Sequence, residues 1–235
     1  MTTAVFTPTT RDVTLAVDGL VVSGELTVPA DATGLAVLGF PTGNARNNTK
    51  HLRLTHVLNE AGIATLFCDL LTEDEAELAD LTGEFRSDVP LLSRRLTAWV
   101  DWCSSDPTLS DLRIGVLGTG AGAAAAFVTA ARRKLTVRAL VVKGGRLDLA
   151  WTSLRRVDAP VLLVVGENDQ PTREAYAVCL PTIGSHVKQI EVIPRAGAVF
   201  TDPVVLDEYA EHVAAWFVDH LGAPQAMAGW RDEVC

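Results

Sequence analysis

Five short runs of this chain are dominated by apolar residues, GLAVLGF (34–40), IATLFCDL (63–70), LRIGVLG (112–118), VRALVV (137–142) and PVLLVVG (160–166), and VKQIEVIP (187–194) reads as a last strand. A strand with no polar face must be covered on both sides, which is the condition of a parallel sheet layered between helices. The intervening segments supply those helices. Residues 48–61 (ending at Gly62), 88–104, 120–133, a stretch near 172–180 and the amphipathic VVLDEYAEHVAAWFVDHL carry helical periodicity. Trp99 and Trp102, three apart, share one face of the second of these helices. Ahead of the series, DVTLAVDG and LVVSGELTVP alternate and meet at Asp18-Gly19, a hairpin signal. The expected architecture is α/β: a mostly parallel central sheet with an N-terminal antiparallel hairpin and helices on both faces. Residues 1–222 read as one domain and 223–235 as a tail. TEDEAELADLTGE reads as an acidic loop, either a solvated surface segment or a lid.

Composition narrows the partners. At 48% hydrophobic, the 235-residue chain can bury a large core, and its net charge of −9 disfavours nucleic acid and anionic membranes. No apolar stretch reaches the roughly 18 residues of a membrane span. MTTAVFTPTTRD lacks the basic-then-apolar order of a secretory signal. Cys68, Cys103, Cys179 and Cys235 have no metal-ligand spacing, so a reduced cytoplasmic protein without metal or cofactor is expected.

The chemistry should centre on VLGTGAGAAAAF (116–127), where a strand turns sharply into a helix. Gly118, Gly120 and Gly122 loosely satisfy a dinucleotide fingerprint. That motif wants an acid at the end of the next strand to hold the ribose, and the strand ends in Lys143-Gly144-Gly145. The alternative is a nucleophile elbow, whose order of hairpin, buried strands and G-x-x-x-G turn fits the whole chain.

Over roughly residues 20–221 the sequence resembles the dienelactone-hydrolase-like branch of the α/β hydrolases. The resemblance is carried by VLNEAGIATLFCDLLTEDE, IGVLGTGAGAAAAFVTAARR, VVKGGRLDLA, APVLLVVGENDQP and VFTDPVVLDEYAEHVAAWF. It implies an α/β-hydrolase fold. The 145–159 link is too short for a cap domain. It also implies a Ser or Cys where this chain has Gly120, a catalytic His at Ala198, and a His-Gly pair at Phe40-Pro41. Asp169 alone matches the triad acid. Gly120 supplies no attacking atom, Ala198 no base, and Pro41 no backbone N–H for an oxyanion.

Several site readings follow. Thr42, Asn44, Arg46, Asn47 and His51 follow the first buried strand and offer polar contacts, with Phe40, Pro41, Thr119, Lys143 and Arg195 at neighbouring strand ends. Asp169 needs a new partner: Arg195, Arg46, Lys143 or backbone N–H groups. Left free in a dry pocket, it would serve as a general acid or base. Loss of the Ser and His side chains would enlarge the pocket to suit an apolar or cyclic small molecule. Three functions compete. One is a non-hydrolytic pseudoenzyme that binds a small molecule or serves as partner subunit or homodimer. Another is an enzyme of proton-transfer, cyclisation or isomerisation chemistry. The third is residual ester or lactone hydrolysis through a Cys68–His51 pair.

Overall fold

The computed structural model describes residues 8–42 and 49–222. The strands are β1 (Thr9–Val17), β2 (Leu20–Val28), β3 (Gly34–Phe40), β4 (Ile63–Asp69), β5 (Arg113–Thr119), β6 (Val137–Lys143), β7 (Val161–Gly166) and β8 (Lys188–Ile193). They form a single sheet in the order β1-β2-β4-β3-β5-β6-β7-β8. The hairpin β1–β2 is antiparallel and joins β4 antiparallel; every later pairing is parallel. Asp18 and Gly19 both take positive φ, 54° and 78°, the two-residue turn that matches strand twist. This is the expected α/β-hydrolase arrangement.

The helices are α1 (Thr49–Glu60), α2 (Glu73–Thr82), α3 (Val89–Ser105), α4 (Ala121–Arg132), α5 (Trp151–Leu154), α6 (Gln170–Cys179) and α7 (Pro203–Leu221). Strand pleating divides the core into two. On β3 and β4, Leu35, Val37, Leu66 and Cys68 face the α3–α4 side, with Trp99 and Phe127. Ala36, Leu38, Phe40 and Phe67 face the α1–α7 side, with Leu58 and Phe217. Trp99 is buried and Trp102 meets it edge-on at 5.7 Å, as their spacing predicts.

The acidic segment is a helix rather than a loop. Thr72 accepts from the Glu75 amide and Glu75 returns a bond to the Thr72 amide, a reciprocal cap. Glu73, Asp74 and Glu75 place negative charge at the positive end of α2, and Gly83 ends the helix in the left-handed region. Glu75 then reaches the guanidinium of buried Arg95 on α3 at 2.5 Å, tying α2 to the sheet's cover. Between β6 and β7 the chain makes one 3₁₀ turn, Leu147–Ala150, and the short α5, with no inserted cap domain. Among the described residues, no helix is long and apolar enough to cross a membrane, and no group of three His, Cys, Asp or Glu could hold a metal ion.

Candidate functional site

Gly120, between β5 and α4, sits at φ 57° and ψ −124°. A side chain is strained there, whereas glycine has no Cβ to clash. The turn closes because its glycines let backbones touch. A Cβ on Gly118 would lie 2.3 Å from the Gly122 carbonyl oxygen. Gly145, from the loop after β6, presses on the same turn, and a Cβ there would lie 2.0 Å from the Gly120 carbonyl oxygen. A Cβ on Gly120 itself would meet nothing within 4 Å. The apex therefore has the shape of an elbow, and a side chain built on it would enter open space.

The loop after β3 is tied down by its own backbone. The Thr42 N–H donates to the Phe40 carbonyl at 2.8 Å, folding the chain around Pro41, and the Leu70 N–H reaches the same carbonyl at 2.9 Å. The Thr42 hydroxyl donates to Oδ1 of buried Asp69 at 3.3 Å. Phe40, expected at the pocket, belongs instead to the core: its ring stacks on Phe67 at 5.3 Å. The pleat of β3 puts position 40 on the α1–α7 face. Asn44, Arg46, Asn47 and the side chain of His51 lie outside the described residues.

Thr119 and Lys143 end adjacent parallel strands in register. The Lys143 ammonium donates to the Ala198 carbonyl at 3.3 Å and lies 4.2 Å from the centre of the Phe200 ring. The loop after β8 is thus fastened to the end of β6 by a cation, beside the exposed methyl of Ala198. The loop after β7 joins the same group, since the Asn168 N–H donates to the Ala196 carbonyl at 2.8 Å.

Asp169 is nearly buried, and it is the N-cap of α6. Its Oδ1 accepts from the Thr172 N–H at 3.3 Å, so the backbone alternative among its expected partners is formed. No ion pair to Asp169 is formed among the described residues; Arg195 instead takes φ 62° and donates its backbone N–H to Glu167 at 2.8 Å. Seven residues on from Asp169, the Tyr176 hydroxyl donates to the Gly144 carbonyl at 2.6 Å. Burial first, and then the nearby Asp169 charge, push the phenol up, so it remains a proton donor at neutral pH.

The Cys68 alternative fails on orientation. Its thiol is fully buried on the α3–α4 face and donates to the Leu38 carbonyl at 3.4 Å. Burial, reinforced by Cys103 and Asp69, raises it well above the ordinary thiol range, the reverse of an activated nucleophile. Other histidines are engaged elsewhere: His56 with Glu60, His212 with Glu191, and His220 against Trp216.

Gly145, Tyr176 and Phe200 belong to the site yet are not among the residues expected there from the sequence. The glycine pair after β6 was a legible signal for close backbone approach. The other two act through contacts between distant segments and carry no local pattern.

The fold that carries these residues is shared with known proteins. The dienelactone hydrolase family model matches residues 24–197. A dienelactone hydrolase from Anabaena variabilis ATCC 29413 is 36% identical, with 91% of this chain and 99% of that chain covered at a TM-score of 0.86. Est1E from Butyrivibrio proteoclasticus, at 16% identity, shares the fold over 88% of this chain and 98% of its own, with a TM-score of 0.71. A Mycobacterium tuberculosis protein provisionally named a phosphoribosyl transferase is 38% identical over 204 residues, 86% of this chain and 45% of that relative. The chain thus spans about half the length of the curated relatives it matches. Taken with the elbow after β5 and the sheet order, the match along most of its length places this chain in the dienelactone hydrolase family.

Proposed function

We propose that this chain uses the hydrolase scaffold without covalent hydrolysis and binds an apolar or cyclic small molecule at the carboxyl ends of its strands. The observation that carries this reading is the Gly120 apex, which keeps the elbow backbone and faces open space with no nucleophile. Ala198 offers no base, and Pro41 has no N–H to stabilise an oxyanion. Thr119 and Lys143 would supply polar contacts to the ligand. Asp169 is spent on capping α6, which weighs against the rival reading of proton transfer, cyclisation or isomerisation by its carboxylate.

A partner-subunit role is favoured by one separate observation. The M. tuberculosis relatives carry the matched region as 45% of a longer chain, beside sequence this match does not cover. In this second reading the domain works in association with another protein or domain.

Two measurements test the proposal. Native mass spectrometry of the gently purified protein should show a small-molecule adduct; a stable complex with a different protein supports the second reading instead. Turnover of p-nitrophenyl acetate should stay at buffer background and be unchanged by iodoacetamide. Saturable turnover above background, lost in Asp169→Asn while the fold persists, would overturn the non-hydrolytic reading. Gly120→Ser with Ala198→His should keep the fold, because the new serine enters open space at a strain of about 1–3 kcal/mol.

A further inference from the structure

A second groove lies away from the strand ends, where the start of α3, the last turn of α4 and α5 meet. Its volume is about 340 Å³, large enough for a small phosphorylated molecule. It is lined by Arg132 and Arg156, by the hydroxyl residues Thr152 and Ser153, and by an apolar wall that includes half-exposed Leu149, while the buried Ser93 hydroxyl donates to the Pro90 carbonyl. None of the lining residues is acidic. Along α4, a 12-residue helix, Arg132 is roughly 18 Å from the elbow at 1.5 Å per residue, so the groove is distinct from the site above.

The groove's positive charge is not balanced by a carboxylate. Acidic residues outnumber basic ones by 29 to 20, and several arginines elsewhere are held by one. Arg11, Arg86, Arg94, Arg95, Arg133 and Arg146 hold Asp106, Asp80, Asp18, Glu75, Asp101 and Asp148. Arg133 grips Asp101 with two bonds at 2.6 and 2.7 Å, while its neighbour Arg132 makes only a long 3.5 Å contact with the Ser93 hydroxyl. Among the described residues, neither Arg132 nor Arg156 has a carboxylate partner. Asp88, at the start of α3, is turned onto the Leu91 amide at 2.9 Å.

We propose that this groove is a binding site for a small phosphate monoester. Two guanidinium groups match the charge of the dianion and offer paired N–H donors to its oxygens. The hydroxyls of Thr152 and Ser153 can meet remaining lone pairs, and the Leu149 wall receives the organic part of the ligand. Chloride can match the charge but cannot use the paired donors.

Isothermal titration with inorganic phosphate and with phenyl phosphate, at constant ionic strength set by chloride, tests this. Both should bind saturably, phenyl phosphate more tightly. Arg132→Gln and Arg156→Gln should each weaken binding about tenfold, the loss of one charge-assisted contact. Arg138→Gln, at an arginine on β6 outside the groove, should leave affinity unchanged. Arg132→Lys tests geometry apart from charge and should recover only part of the loss. No saturable heat, or equal weakening by Arg138→Gln, would overturn the proposal.

Discussion

Gly144 and Gly145 are neighbours with the same need for positive φ and opposite tolerance for a side chain. A Cβ on Gly144 (φ 64°) meets nothing within 4 Å, whereas one on Gly145 (φ 94°) would drive into the Gly120 carbonyl. Gly144→Ala should therefore lower stability by about 1–2 kcal/mol, the strain of the backbone alone. Gly145→Ala should exceed about 4 kcal/mol, because a backbone atom cannot step aside. Urea unfolding of the two variants checks this, and equal losses would mean that the Gly120 turn is not held by Gly145. At this scale the elbow was legible, because Gly118, Gly120 and Gly122 lie within one strand–turn–helix. The role of Asp169 was not, because a carboxylate before a Gln-Pro-Thr sequence serves a cap or a triad equally well.

Among the elements, α2 shows how composition misleads. Its acidity suggests a solvated loop, and only Ala79 of its residues is buried, so it has almost no apolar stripe to announce a helix. The signal that was present is the capping pair Thr72 and Glu75 in TEDE. The hydrogen bond from Arg95 holds the Glu75 carboxyl below its usual 4.5. A carboxylate lowered in the folded state adds stability above its unfolded value, and that stability is lost as pH falls through the folded value. Glu75→Gln should thus lower stability at pH 7 by about 3 kcal/mol, since Arg95 is buried and loses its counter-charge. The gap from wild type should narrow steadily below pH 4.5. A gap that stays constant to pH 3 would show that the ion pair contributes nothing. That pairing was invisible in sequence, since it joins residues 20 apart across two helices.

For the molecule as a whole, α7 closes one face of the sheet. A Cβ on Gly115 of β5 would lie 2.5 Å from the Phe217 ring, so the strand is kept bare for the helix to approach. Phe217 is fully buried, and Phe217→Ala should cost about 3–5 kcal/mol of global stability. Val218→Ala, one position on and 40% exposed, should stay within about 0.5 kcal/mol. Denaturant unfolding followed by both fluorescence and circular dichroism should report a single transition for each. Loss in the Phe217 variant of α7 alone, with the sheet intact, would show that the last helix is a separate cooperative unit.

By itself the sequence determined the α/β layering, the hairpin and the elbow turn, because each is written in consecutive residues through strand pleating, turn angles and helical period. Only the tertiary structure decided what the strand ends do. The pleat parity of β4 turns Cys68 into the core, the first turn of α6 claims Asp169, and Lys143 reaches Ala198 across 55 residues of chain. The first and last depend on which face a strand end presents and on contacts far apart in the chain, and the Asp169 cap is local but looks the same in sequence as a triad acid, so no local pattern decides them.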